Sequence, residues 1–110
     1  MKQFLILLKG KQELDYSPEE LQKRLEEYRA WANKLGDTIL QDNRLEQRGH
    51  MIESRGVVKS DGPFLEAKEI IAGFIIIQAD SLDHATQIFE DSPLINYFHL
   101  LLRPMVLPYE

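Results

Sequence analysis

The chain has 110 residues, 44% of them hydrophobic and 28% charged, with a formal net charge of −5 at pH 7. That is one domain's worth of ordinary globular sequence, and its acidic balance disfavours non-specific nucleic-acid binding, which needs a basic face to displace counterions from phosphates. There is no cysteine, so disulfides, thiolate metal sites and cysteine nucleophiles are excluded and a reducing compartment is permitted.

The apolar run at residues 4–8, closed by Gly10, has the length of a strand and is too short for a signal-peptide core. No apolar stretch approaches the length of a membrane span, so a cytoplasmic protein without membrane contact is expected. Ser17, Pro18 and Glu20 then form a capping box with proline at the first helical position. Leu21, Leu25, Tyr28, Ala32 and Leu35 recur at helical spacing, and Gly36 is placed to end the helix. Residues 37–49 are polar and mixed, a loop or a short strand. Residues 51–59 read as a strand with mixed sides, which suits an edge, and Asp61-Gly62 is a hairpin-turn signal. The strongest strand signal runs over 70–78, with Gly73 inside it. Ser81 caps a second helix carrying Leu82, Ala85, Ile88 and Phe89, stopped by Ser92-Pro93. A last strand over 98–102 is halted by Pro104.

The order β-α-β-β-α-β predicts a single α+β domain over residues 1–110. With right-handed crossovers it is ferredoxin-like: a four-stranded antiparallel sheet with two helices on one face. The first and third strands are expected side by side, and parallel, at its centre. Alternation along the strands sets Phe4, Ile6 and Leu8 against Leu5 and Leu7. In the same way it sets Ile71, Ile75 and Ile77 against Ile70, Phe74 and Ile76, and Phe98, Leu100 and Leu102 against His99 and Leu101. The helices cover one face only. Burying each such side chain is worth about 1.5–3 kcal/mol, so an open apolar face calls for cover. The sequence holds no spare element for it. A second copy of the chain is the expected cover: a homodimer with sheets face to face and a barrel-like interior able to hold a small molecule.

The stretch KSDGPFLEAKE (residues 59–69) concentrates the candidate chemistry. A turn aspartate commonly accepts from the backbone N–H two residues on, but here that residue is Pro63, which has none. Asp61 is therefore either paired with a lysine (Lys59 or Lys68) in a rigid hairpin or open to a ligand. Glu69 shares a strand face with Ile71. At the mouth of an apolar cavity its carboxylate would have a raised pKa and serve as acid or base; otherwise it is a solvated strand end. Asp61 and Glu69 are thus the candidate catalytic groups. Trp31 and Phe64 would shape a pocket, and Lys68, His99 and Arg103 would meet a small anionic or aromatic ligand. Packing is the alternative for Trp31, a satisfied interface position for His99 and a surface ion pair for Arg103. His50, His84 and His99 lack metal-ligand spacing, and no phosphate loop, nucleophile elbow or dinucleotide fingerprint is present. No metal or organic cofactor is expected.

Asp61, Gly62, Pro63, Phe64, Glu66, Lys68, Glu69 and Gly73, with Arg103-Pro104 after the last strand, resemble the DGPF branch of the YCII-related family. The resemblance runs from the first strand to Pro104 and implies a ferredoxin-like dimeric α+β barrel. It also implies small stand-alone domains, some of them associated with sigma factors. The wider family carries a histidine in the first helix and an aspartate just before the glycine that ends it, a suggested catalytic pair. Anchored on Gly36, those positions fall near Leu25 and Lys34, so an enzyme built on this chain would not use that pair; Asp37 is on the other side of the glycine. Two functions follow as expectations. One is a small-molecule-binding protein working as a cofactor-free acid–base enzyme in the barrel cavity. The other is a non-catalytic regulatory or interaction module that recognises a metabolite or a protein.

Overall fold

The computed structural model of the chain describes residues 1–10, 17–61 (Asp61 by its backbone alone) and 70–107. In chain order these form β1 (Lys2–Gly10), α1 (Pro18–Leu35), β2 (Ile39–Arg44), β3 (Gly49–Ser54), β4 (Val57–Asp61), β5 (Ile71–Ala79), α2 (Leu82–Glu90) and β6 (Phe98–Pro104). Single 3₁₀ turns follow each helix, at Gly36–Thr38 and Pro93–Asn96. The main sheet has the order β2-β5-β1-β6. This is the ferredoxin-like arrangement, with β3 and β4 inserted between its second and third strands. Among the described residues, no helix is long and apolar enough to cross a membrane.

The two central strands, β1 and β5, are adjacent as expected but run antiparallel, from Lys2 opposite Ala79 to Lys9 opposite Ile71. The expectation of a parallel pair is corrected here. The crossover through α1 returns the chain parallel to β1 but leaves a gap one strand wide. The strand that fills the gap runs the opposite way, so every neighbouring pair in the sheet is antiparallel.

The second core strand also differs from expectation. It is Ile39–Arg44, in the polar stretch, paired with β5 from Ile39 opposite Ile77 to Arg44 opposite Gly73. Residues 51–59 are not one edge strand. They are most of a separate hairpin, β3 and β4, with Ile52 opposite Val58 and Met51 opposite Lys59. Its reversal comes at Arg55-Gly56, where Gly56 has φ +84°, a left-handed conformation that glycine adopts without a Cβ penalty. A turn was expected at Asp61-Gly62. Asp61 instead ends β4 opposite Gly49, and Gly62 lies outside the described residues.

The helix ends follow local chemistry. Ser17 Oγ accepts from the Glu20 N–H at 3.2 Å, and Ser81 Oγ accepts from the His84 N–H at 3.0 Å. Each satisfies a donor that the first turn leaves unpaired. The core is one-sided. Phe4, Ile6 and Leu8 of β1 pack with Ile75, Ile77 and Ala79 of β5, Ala85 and Phe89 of α2, and Leu94. Tyr28 and Trp31 of α1 lean on this cluster from outside. Gly73 lets β2 close on β5: a Cβ there would lie 2.8 Å from the Asn43 carbonyl oxygen.

The other face of the sheet carries Leu5 opposite Ile76, and Leu7 opposite both Phe74 and Leu101. These side chains are only half-buried, whereas their neighbours on the helix side of β1 and β5 are buried outright; on β6 both sides are half-buried. The apolar open face read from strand alternation is therefore present.

Candidate functional site

Tyr28 sits in the inward stripe of α1, and its phenol donates a hydrogen bond to the Asp42 carboxylate on β2. Asp42 can reach it because its cross-strand neighbour is Ile75, a core residue on the helix-covered face, and opposed residues share a face. The pair ties the middle of α1 to the edge of the sheet across 14 positions of sequence. The Tyr28 ring lies 5.9 Å from Trp31, and Trp31 lies 5.3 Å from Phe89, centroid to centroid. Three aromatic rings thus run from the β2 edge to α2.

Burial of the Tyr28 phenol, then its hydrogen bond to Asp42 and the charge of that carboxylate, push its pKa well above the ordinary phenol range. All three causes disfavour the phenolate. Tyr28 therefore stays a proton donor across neutral pH. α1 is seated less deeply than α2. α2 buries Ala85 and Phe89, whereas none of the described residues of α1 is buried. Leu25, Tyr28, Ala32 and Leu35 are half-covered and Leu21 is exposed.

An open cleft of about 460 Å³ lies between α1 and the segment that follows α2, and its lining includes Glu27, Trp31, Lys34, Asp91, Ser92 and Asn96. Its walls are held in place. Ser92 is buried and donates to the Phe89 carbonyl at 2.8 Å, and the Tyr97 hydroxyl donates to Glu27 at 3.2 Å. The Arg24 guanidinium stacks over the Tyr97 ring at 4.1 Å. Trp31 lines this cleft and also stands beside Tyr28.

The predicted site residues divide between the two sides of the sheet. Trp31 belongs to the helix side. His99 and Arg103 lie on the open face of β6, opposite Lys9 and Leu5, where the three basic residues border the apolar centre. One pocket within the chain therefore does not gather Trp31 with His99 and Arg103. Asp61 is placed by its backbone at the base of the hairpin, while Phe64, Lys68 and Glu69 lie outside the described residues. Lys59, one of the cations considered for Asp61, bonds Glu53 at 3.0 Å. Among the described residues, no three His, Asp or Glu side chains cluster as a metal site.

Tyr28 and Asp42 escaped the sequence reading. Tyr28 occupies an apolar-stripe position, and Asp42 lies in a polar segment whose alternation is broken by a bulge between Ile39 and Gln41. No local signal joins them.

The fold has a counterpart among solved structures. The 5-chloro-2-hydroxyhydroquinone dehydrochlorinase from Burkholderia phenoliruptrix, in complex with 2,5-dihydroxybenzoquinone, superposes with a TM-score of 0.55 at 19% identity. The match covers 94% of this chain and 93% of that one, and at this identity it speaks for the fold alone. No curated protein matches the chain. The model of the YCII-related domain matches residues 3–104, and the chain belongs to the YCII-related family.

Proposed function

We propose that the chain is a homodimeric small-molecule-binding protein that receives a small oxygenated ring compound beneath α1, with Tyr28 and Asp42 as its proton-sharing pair. The observation that carries this is the Tyr28–Asp42 hydrogen bond, which joins a half-buried phenol beside Trp31 to an exposed carboxylate at the edge of the sheet. Tyr28 can donate to a ligand carbonyl or oxyanion, because its raised pKa keeps the phenol proton in place. The Asp42 carboxylate can accept a hydrogen bond, or the proton itself, from an acidic ligand hydroxyl. Trp31 offers a face for the ring. The similar dehydrochlorinase was solved with a dihydroxyquinone, which supports a ligand of that class. Asp61 and Glu69 remain proposed as further acid–base groups, with Phe64 to shape a pocket and Lys68 to meet an anionic group.

Support for the dimer comes from the open face of the sheet. Leu5, Leu7, Phe74, Ile76 and Leu101 form its centre, and Lys9, His99 and Arg103 border it. An apolar centre with a polar rim is the anatomy of an interface.

The test is a thermal-shift screen of hydroxyquinones, phenols and small carboxylic acids against wild type, Tyr28→Phe and Asp42→Asn. A ligand at 100 times its Kd stabilises the folded state by about 2.7 kcal/mol, a readily measured shift. We expect one chemical class to stabilise wild type and to lose at least tenfold in apparent affinity in both variants. Equal shifts in all three proteins would move the site away from this pair.

A further inference from the structure

From the cleft between α1 and the segment that follows α2 we infer a second binding site. Its ligand is a small zwitterion, with an ammonium group and a carboxylate at opposite ends of an apolar body. The site is separate from the Tyr28–Asp42 pair and does not depend on it.

One wall is a row on α1. Glu27, Trp31 and Lys34 are spaced four and three residues apart, which sets them one above another on one face of the helix. All three line the cleft. At ~1.5 Å of rise per residue the row places a carboxylate and an ammonium ~10 Å apart along the axis, with an indole between them. Glu27 is half-buried and fixed: one of its oxygens accepts from the Tyr97 hydroxyl at 3.2 Å, and Arg24 stacks over that tyrosine ring at 4.1 Å. Its second oxygen is left for another donor. A carboxylate already held in place loses little freedom when it binds a ligand.

The facing wall is the end of α2. A helix C-terminus carries partial negative charge and favours cations. The last turn of α2 has no basic residue; it ends in Glu90, with Asp91 as its C-cap, and Asp91 lines the cleft. Ser92, 3% exposed, donates its hydroxyl hydrogen to the Phe89 carbonyl, so its oxygen is left as an acceptor. This wall accepts hydrogen bonds and lacks a cation of its own. The cation of the lining, Lys34, makes no ion pair among the described residues, although Glu27 and Asp91 line the same cleft. The charges decide the class of ligand. A plain amine would leave Lys34 unmatched, and a plain acid would meet two carboxylates. A zwitterion gives its ammonium to the carboxylates and its carboxylate to Lys34, with its apolar body on Trp31. The volume of about 460 Å³ is of the size that holds small ligands, roughly 300–1,000 Å³.

The experiment titrates the protein with 4-(aminomethyl)benzoate, whose ammonium and carboxylate flank one ring, and with benzylamine and 4-methylbenzoate, which each lack one charge. Binding is read by calorimetry and by the fluorescence of Trp31, the single tryptophan. Saturable binding of the zwitterion is expected, at least tenfold tighter than that of either control. Glu27→Gln and Lys34→Gln should each weaken it at least tenfold. Lys34→Gln, at an exposed position, should also abolish the preference for the zwitterion over benzylamine, which a merely structural loss would not do. Tyr28→Phe and Asp42→Asn should bind the zwitterion within twofold of wild type. No saturable binding, equal affinity for all three compounds, or Glu27→Gln and Lys34→Gln that bind as wild type does would each overturn the proposal. Binding lost in Tyr28→Phe and Asp42→Asn but kept in the two charge variants would overturn it too, and would assign the ring to the Tyr28–Asp42 pair instead.

Discussion

Gly73→Ala tests where β2 lies, and with it the wall that holds Asp42. The new methyl would sit 2.8 Å from the Asn43 carbonyl oxygen, 3.4 Å from Leu8 Cδ1 and 3.5 Å from Arg44 Cα. Leu8 can give way by rotating, but the Asn43 carbonyl belongs to the backbone of the paired strand. Relieving the contact means pushing β2 off β5 at the position where Arg44 opposes Gly73. Overpacking of this kind costs about 1–3 kcal/mol, partly offset by the ~0.5–1 kcal/mol that alanine gains over glycine in a strand. The expected net loss is about 1–2 kcal/mol, equivalent to roughly 4–8 °C in Tm for a domain of this size. The assay is equilibrium urea unfolding at one fixed chain concentration, because the stability of the proposed dimer would depend on concentration. Gly49→Ala is the control, since its added methyl meets nothing within 4 Å. If Gly73→Ala is as stable as Gly49→Ala, β2 does not pack on β5 as described and the position of Asp42 falls with it.

Three other outcomes follow from the same contacts. Tyr28 has a pKa raised in the folded state, so its contribution to stability is complete below the unfolded value near pH 10 and is lost as pH rises through the folded value. Unfolding free energy measured from pH 8 to 11 should fall above about pH 10 in wild type and fall less steeply in Tyr28→Phe; identical slopes contradict the buried phenol. Phe89→Ala removes a fully buried ring that also meets Trp31 and should cost about 3–5 kcal/mol in urea unfolding, against less than 1 for an idle surface position. Ser17→Ala should cost about 1 kcal/mol by loss of the cap, and Ser17→Asp should restore it.

The parts of the fold that local chemistry decides could be read from the sequence. Ser17 and Ser81 announce their helices because a side-chain oxygen beside an unpaired N–H needs no tertiary partner. The apolar runs of β1, β5 and β6 gave both faces of the central sheet, including the open one, because a strand must alternate. β2 was not legible, since its outer residues face water and its bulge disrupts the period of two. What seats it is Gly73, some thirty residues away, whose missing side chain is a signal only once the partner strand is known. The hairpin at Gly56 was hidden for a related reason: Arg55-Gly56 is a weaker turn signal than Asp61-Gly62, which drew the reversal six residues downstream. The Tyr28–Asp42 pair depends on both the helix stripe and the unseen strand. It could not be found before the fold.

The chain contains a single tryptophan, and Trp31 stands 5.9 Å from Tyr28, so its fluorescence reports directly on the proposed site. The decisive measurement is a titration of wild type, Tyr28→Phe and Asp42→Asn with 2,5-dihydroxybenzoquinone, corrected against free N-acetyltryptophanamide. Saturable quenching in wild type that weakens at least tenfold in both variants is the predicted result. Quenching that rises linearly as for the free indole, or that saturates identically in all three proteins, would contradict a ring-binding site at the Tyr28–Asp42 pair.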